Sequence, residues 1–211
     1  MERNRMKNAL LALLVSGMMA SASAAVVVNE GFDNVNTLQS KGWIVDNKSA
    51  PLGTLNWFQG DQTKFDAQSG APESFVATSF NSGVDGGTLN NWLYTPEFST
   101  VLGVTVSFWL RAVDEEGFSD KFAFGFVDTD GIGFDLVPSF TVGKNGWTQY
   151  TAWIGPREGS ARFGFQYTGE TAESNYVGLD SVIVDVPEPS SILILAAGAM
   201  GLVAARRRKR A

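Results

Sequence analysis

Between residues 26 and 185, apolar side chains repeatedly alternate with polar ones at a spacing of two. The alternation is clearest in five segments: 104–110, 121–127, 147–153, 161–168 and 182–185. In the first segment Val106, Phe108 and Leu110 share one face. This spacing, with many aromatic and β-branched residues, predicts strands with one buried face. Turns rich in Gly, Asn and Asp separate the segments, and the region lacks a long amphipathic helical pattern, so we predict an all-β, two-sheet sandwich.

The N-terminus has a different pattern. Three basic residues precede an apolar run over 9–20, and Ala22-Ser23-Ala24 follows that run. This order of a basic region, an apolar region and a small-residue site is typical of a secretory signal peptide. We therefore predict that residues 1–25 form a signal peptide. Cleavage is expected after Ala24 or Ala25, which would leave a mature N-terminus near Val26.

The C-terminus combines a proline motif, an apolar segment over 192–205 and a basic tail. The motif is Pro187-Glu188-Pro189, and the tail is Arg206, Arg207, Arg208, Lys209 and Arg210. The positive-inside rule places such a tail in the cytoplasm and the preceding chain outside. The apolar segment has 14 residues, fewer than the roughly 17 that a membrane span needs. We therefore expect a temporary retention helix that a processing enzyme recognises.

This arrangement resembles the PEP-CTERM sorting domain of Gram-negative bacteria, over residues 186–211. The resemblance implies that Pro187, Glu188 and Pro189, with Arg206, Arg207 and Arg208, direct sorting by an exosortase after export through the secretion machinery. It also implies a transient stay in the inner membrane, followed by display on the cell surface or secretion. The host would be a Gram-negative bacterium that makes exopolysaccharide or a biofilm matrix.

Charge and composition narrow the function classes. Residues 25–205 contain 8 basic and 21 acidic side chains, a net charge of −13, which disfavours nucleic acids and anionic lipids as partners. The chain has neither Cys nor His, so it has no disulfide, no Ser-His-Asp triad, no Cys nucleophile and no His-based zinc site. Carboxylate-pair glycoside hydrolysis needs no His, but the acidic clusters 114–116 and 128–130 are typical of loops. We predict that the protein is not an enzyme.

A second resemblance covers nearly all of residues 26–185. It depends on the order of eight blocks along the chain, which are Glu30-Gly31-Phe32, residues 42–47, 56–58, 91–96 (Asn-Trp-Leu-Tyr-Thr-Pro), 106–109, 147–150, 162–165 and 178–182 (Gly-Leu-Asp-Ser-Val). This order is similar to the choice-of-anchor J domain, which is related to cleaved-adhesin modules. The resemblance implies a jelly-roll β-sandwich on a bacterial surface protein, with adhesion or ligand binding as its task.

Three aromatic residues are candidates for a ligand platform. Trp57 and Phe58 lie in a stretch that is typical of a loop, and Trp109 follows Phe108 directly. Because adjacent residues of a strand point to opposite faces, one of Phe108 and Trp109 is expected outside the core. An exposed indole can stack on the apolar face of a sugar ring, whereas most tryptophans on strands are core residues.

The resemblance to jelly-roll modules also implies a structural calcium ion near the first and last strands. Calcium prefers carboxylate and carbonyl oxygens. Glu30 and Asp180 are the candidate ligands, with Asp33 or Asn91 as a further one. The alternative is that Glu30 caps a turn and Asp180 accepts hydrogen bonds from loop N–H groups.

Three functions remain open at this stage. The protein is an adhesin or matrix protein that binds exopolysaccharide, a structural surface module with protein partners, or an enzyme that acts on matrix glycan. The missing His and Cys, and the lack of a paired-carboxylate motif, weigh against the third. We expect the first.

Overall fold

The computed structural model describes residues 24–129, 132–187 and Gly198. Val26–Val186 form one compact unit. Most of the predicted signal peptide and nearly all of the predicted sorting segment therefore lie outside the described residues; Ala24 and Ala25 are the first residues of the first strand. Within the described residues, no helix is long and apolar enough to cross a membrane.

The described part of residues 26–186 is built from strands and short 3-10 turns. In chain order the strands are β1 Ala24–Glu30, β2 Ile44–Asn47, β3 Ala50–Leu52, β4 Phe58–Gln59, β5 Val76–Ser79, β6 Gly83–Tyr94, β7 Phe98–Ser99, β8 Val104–Ala112, β9 Lys121–Val127, β10 Gly133–Thr141, β11 Thr148–Ile154, β12 Ser160–Glu170 and β13 Tyr176–Pro187. The 3-10 turns are Val35–Thr37, Gln39–Lys41, Phe80–Ser82 and Thr171–Glu173.

The strands form two sheets that pack face to face. The first sheet has the order β11-β8-β13-β5-β4, with β1 also paired to β13; the second has the order β10-β9-β12-β6-β2, with β3 paired to β6 and β7 to β12. Strands that neighbour each other in a sheet are mostly distant in sequence, which requires connections that cross between the sheets. The all-β jelly-roll sandwich predicted from the sequence is confirmed.

Aromatic rings fill the space between the sheets, and Phe108 of β8 lies at their centre. Its ring centroid is 4.9 Å from those of Phe124 and Phe165 and 5.8 Å from that of Phe163. Phe108 belongs to the first sheet, and the other three belong to the second. All four side chains are almost completely buried. Such ring pairs add about 0.5–1.5 kcal/mol each beyond the area that they bury, so Phe108 couples the two sheets.

Truncating Phe108 is expected to destabilise the sandwich strongly. Because Phe→Ala in a packed core costs about 3–5 kcal/mol, Phe108→Ala in the unit 26–186 should lower the free energy of unfolding by that amount in urea titrations. The matched control is Thr105→Ala, on the outer face of the same strand, which should change it by less than about 0.5 kcal/mol. A loss below about 1 kcal/mol for Phe108→Ala would show that the core is not centred on this ring.

Candidate ligand-binding cleft

A cleft of about 420 Å³ opens on the outer face of the first sheet. Its floor is formed by β8, β11 and β13, and its walls come from the segments around residues 29–33 and 68–70. The residues that line it are Asn29, Gly31, Asp33, Gln68, Ser69, Gly70, Ser107, Trp109, Gln149, Ser181 and Ile183. The cleft therefore combines one indole with amide, hydroxyl and carboxylate groups.

The alternation along β8 places Trp109 in this cleft. Val106, Phe108 and Leu110 are buried between the sheets, and the residues between them are half-buried on the other face. Strand pairing then sets the neighbours of Trp109, because residues directly opposite each other in a sheet share a face. Gln149 of β11 lies opposite Trp109.

A buried carboxylate fastens one wall of the cleft. Asp180 of β13 is fully buried, and its Oδ2 accepts hydrogen bonds from the N–H groups of Gln68 (2.8 Å) and Ser69 (3.2 Å). The Ser181 N–H donates to Oδ1 of Asp180, and the Ser181 hydroxyl donates to Oε1 of Gln68 at 2.9 Å. These bonds tie the wall segment 68–70 to the last strand.

A β-bulge makes this arrangement possible. The register between β13 and β8 shifts between Asp180 and Ile183, and Ser181 has a left-handed φ of 52°. A bulge of this kind adds a residue to one strand and re-aims its side chains. Here it brings both the Asp180 carboxylate and the Ser181 hydroxyl to the wall segment.

Burial raises the pKa of Asp180 to about 6, although the N–H groups of Ser69, Ser181 and Gln68 favour its ionised form. The desolvation cost of the charge is thus larger than the gain from these bonds. The carboxylate is ionised at neutral pH, and it is the ionised form that accepts the bonds from the wall.

The other two predicted metal ligands have protein partners. Glu30 is buried and accepts hydrogen bonds from the Phe32 N–H (3.0 Å) and from Nζ of Lys41 (2.9 Å). Asp33 is exposed, and its Oδ1 accepts from the Ser74 hydroxyl at 2.7 Å.

These contacts do not assemble a metal centre. No group of three acidic side chains that could hold a metal occurs in residues 24–129 and 132–187. The Lys41 ammonium already balances the Glu30 charge, so a cation at Glu30 would have to displace it. Asn91 is buried on the second sheet, where its Nδ2 donates to the hydroxyls of Thr78 and Ser82. Each of these predicted ligands thus has a protein partner, and the calcium site stays a prediction.

The structure corrects the expectation for Trp57 and Phe58. Trp57 is only 7% exposed, and its ring packs edge-on against Phe122 at 6.3 Å, within the main core. Phe58 is half-buried and packs against Tyr176 at 5.9 Å. Phe58 belongs to β4, which pairs with β5, whereas Trp57 lies in the bend directly before that strand and turns its ring into the core. Of the three predicted platform residues, Trp109 lines this cleft.

Several polar residues of the cleft were not predicted as site residues. Gln149 carried a usable signal, because it and Thr151 alternate with the apolar residues Tyr150 and Ala152, and polar residues at alternate positions indicate an outward face. Gln68, Ser69 and Asn29 carried no such signal, since only the fold brings their two segments to the outer face of the sheet.

The sandwich has the fold of cleaved adhesin domains. It is similar to the K1 cleaved adhesin domain of Lys-gingipain from Porphyromonas gingivalis W83, with a TM-score of 0.57, 20% identity, and coverage of 76% of this chain and 98% of that one. For the K3 domain of the same protein the values are 0.56, 21%, 77% and 99%. The arabinose-bound MgGH51 α-L-arabinofuranosidase is similar at a TM-score of 0.50 and 13% identity, over 83% of this chain and 28% of that one. These neighbours are consistent with the predicted choice-of-anchor J-like domain.

Residues 185–209 match the PEP-CTERM protein-sorting motif, which confirms the resemblance to the PEP-CTERM sorting domain and supports export to the cell surface or the extracellular space. No curated protein matches the sequence of the chain. Pro187 is the last residue of β13; Glu188, Pro189, Arg206, Arg207 and Arg208 lie outside the described residues.

The raised pKa of Asp180 predicts a pH-dependent stability. The folded value of about 6 lies above the ordinary 3.8, so the stabilising contribution of the protonated group is complete below pH 3.8 and is lost as the pH rises through 6. Relative to Asp180→Asn, the wild-type unit 26–186 should lose up to about 3 kcal/mol of unfolding free energy between pH 3.5 and 7.5, measured in urea. The pKa of Asp120 is also raised by burial. Because Asp120 is present in both proteins, its contribution cancels in the difference between their unfolding free energies. Parallel pH profiles for the two proteins would contradict the assignment.

Proposed function

We propose that this protein is exported, sorted by an exosortase at Pro187-Glu188-Pro189, and placed on the cell surface or in the extracellular matrix, where its β-sandwich binds polysaccharide. The inner membrane holds the precursor through the C-terminal segment until the chain is cleaved. The PEP-CTERM motif at residues 185–209 supports the sorting step. The adhesin fold is compatible with the binding role.

The observation that carries the binding role is the composition of the cleft. The apolar face of a pyranose ring needs a flat, apolar partner, which Trp109 supplies. Its hydroxyl groups need convergent hydrogen-bonding groups, and Asn29, Ser107 and Gln149 lie in the same cleft. A site that joins an aromatic surface to a few fixed polar groups is a general design for binding small polar ligands.

The same cleft favours binding over hydrolysis. Glycoside hydrolysis in its usual form needs a pair of carboxyl groups on either side of the scissile bond. Among the described residues that line the cleft, Asp33 is the one carboxylate. Asp180 lies behind the wall, and its oxygens accept bonds from backbone N–H groups.

A second candidate function is that of a structural module that binds other proteins. It is favoured by β10, which is at the edge of the second sheet. Ile132, just before this strand, and Leu136 and Val137 within it are 65%, 45% and 39% exposed. An apolar sheet edge is a common site of strand-to-strand association.

Replacing the sorting motif should stop processing. With Pro187, Glu188 and Pro189 all changed to Ala, we expect the uncleaved precursor to stay in the inner-membrane fraction of the native host, detected by mass and by immunoblot of the fractions. The matched control changes Pro72 and Glu73, an exposed pair in a turn of the β-sandwich domain, to Ala. This change should leave sorting unchanged. Normal release of the motif variant would contradict the proposed sorting.

Binding should depend on Trp109. The unit 26–186 is tested by affinity electrophoresis against neutral and acidic polysaccharides, including matrix from the host, in calcium and in EDTA. Because an indole stacked on a sugar ring provides much of the contact energy, Trp109→Ala should weaken binding by at least about tenfold. Trp92→Ala, on the outer face of the second sheet, should not.

The outcomes separate the alternatives. Loss of binding in EDTA would support the predicted calcium ion at Glu30, Asp33 and Asp180. Absence of binding under both conditions would favour the module with protein partners. Binding that is unchanged in Trp109→Ala would show that the polysaccharide site lies outside this cleft.

A further inference from the structure

The largest exposed aromatic surface in the described part of the sandwich lies outside the cleft. Trp153 is 66% exposed. It lies on β11, which is the edge strand of the first sheet. Burial does not explain an indole at this position, since the residue contributes little to the core.

Strand register places Trp153 on the same face as the cleft. Gln149 lies opposite Trp109, and Trp153 lies four residues further along β11, opposite Thr105. Residues at even spacing on a strand share a face, and each residue advances the strand by about 3.4 Å. Trp109 and Trp153 are therefore about 14 Å apart along the strand direction, on neighbouring strands.

The surface between the two indoles carries smaller side chains. Ser107 of β8 has Thr151 of β11 on one side and Ile183 of β13 on the other. Ser107 and Ile183 also line the cleft, so the cleft extends from Trp109 towards Trp153. The first sheet thus presents a continuous strip with an indole at each end.

We propose that Trp109 and Trp153 mark the two ends of one binding track, which holds an internal stretch of a polysaccharide with one sugar ring stacked on each indole. This inference rests on the proposed function and deepens it. At the estimated separation a disaccharide cannot reach both indoles. The track therefore selects long chains over short ones.

The charges along the track select neutral or amino sugars over uronic acids. No Lys or Arg is among the described residues that line the cleft, and Asp33 is among them. At the other end, Asp185 of β13 and Trp153 of β11 lie on either side of Thr105, so one carboxylate is on the same face two strands from Trp153. A polyuronate would bring like charges to both ends, which costs binding energy.

The inference is tested by isothermal titration of the unit 26–186 with defined oligosaccharides. The probes are xylobiose, xylohexaose, cellohexaose, chitosan hexamer and hexagalacturonate. The proteins are wild type, Trp109→Ala, Trp153→Ala and Trp153→Phe, each checked for an unchanged urea midpoint. Trp153 is exposed, so its replacement is not expected to disturb folding.

We expect a neutral or amino-sugar hexasaccharide to bind wild type, and Trp153→Ala to weaken this binding by at least about tenfold while Trp153→Phe largely restores it. Xylobiose should bind weakly and equally to wild type and Trp153→Ala, and hexagalacturonate should bind least of the hexamers.

Hexasaccharide binding that is lost in Trp109→Ala but unchanged in Trp153→Ala would overturn the track and leave the proposed function standing; Trp153 would then belong to a protein contact. Preference for hexagalacturonate would overturn the charge argument. If wild type bound none of the probes and no polysaccharide, both the proposed function and the binding track would be contradicted.

Discussion

Much of this structure depends on the packing of Phe108 between the two sheets. Its ring lies against those of Phe124 and Phe165, which belong to the opposite sheet. Because neighbours along a strand point to opposite faces, the inward position of Phe108 requires Trp109 to point outward. A register slip of one residue would exchange them, placing an indole in the core and a phenyl ring in the cleft. The aromatic core therefore also determines where the binding surface lies.

The cleft needs a second constraint, because a flat sheet face has no walls. Asp180 supplies it by holding the segment 68–70 through backbone hydrogen bonds. In a chain without cysteine, a buried carboxylate with several N–H donors is one way to fix such a wall. The cost is a carboxylate with a pKa of about 6, whose ionisation opposes folding as the pH rises. Binding geometry and pH-dependent stability thus depend on the same residue.

The sequence predicted what depends on local patterns. Period-two alternation predicted the all-β sandwich, and the C-terminal motif was readable because its parts are contiguous. Trp57 was misjudged because it does lie outside a strand, in the bend before β4, and no local pattern shows that its ring enters the core. The bonds of Asp180 join residues more than 100 positions apart, and the Lys41 partner of Glu30 depends on the turn between them. Such contacts follow from the assembled fold, whereas the calcium prediction came from the resemblance to jelly-roll modules.

The central claim is that a glycan lies across the outer face of the first sheet. The six tryptophans of the chain all fall within residues 26–186. One NMR spectrum of this unit therefore contains an indole N–H signal for each of them. With a saturating neutral hexasaccharide, the account predicts that the signals of Trp109 and Trp153 shift while those of Trp43, Trp57 and Trp92 do not. A shift of Trp92 alone, or of none of the six, would contradict it.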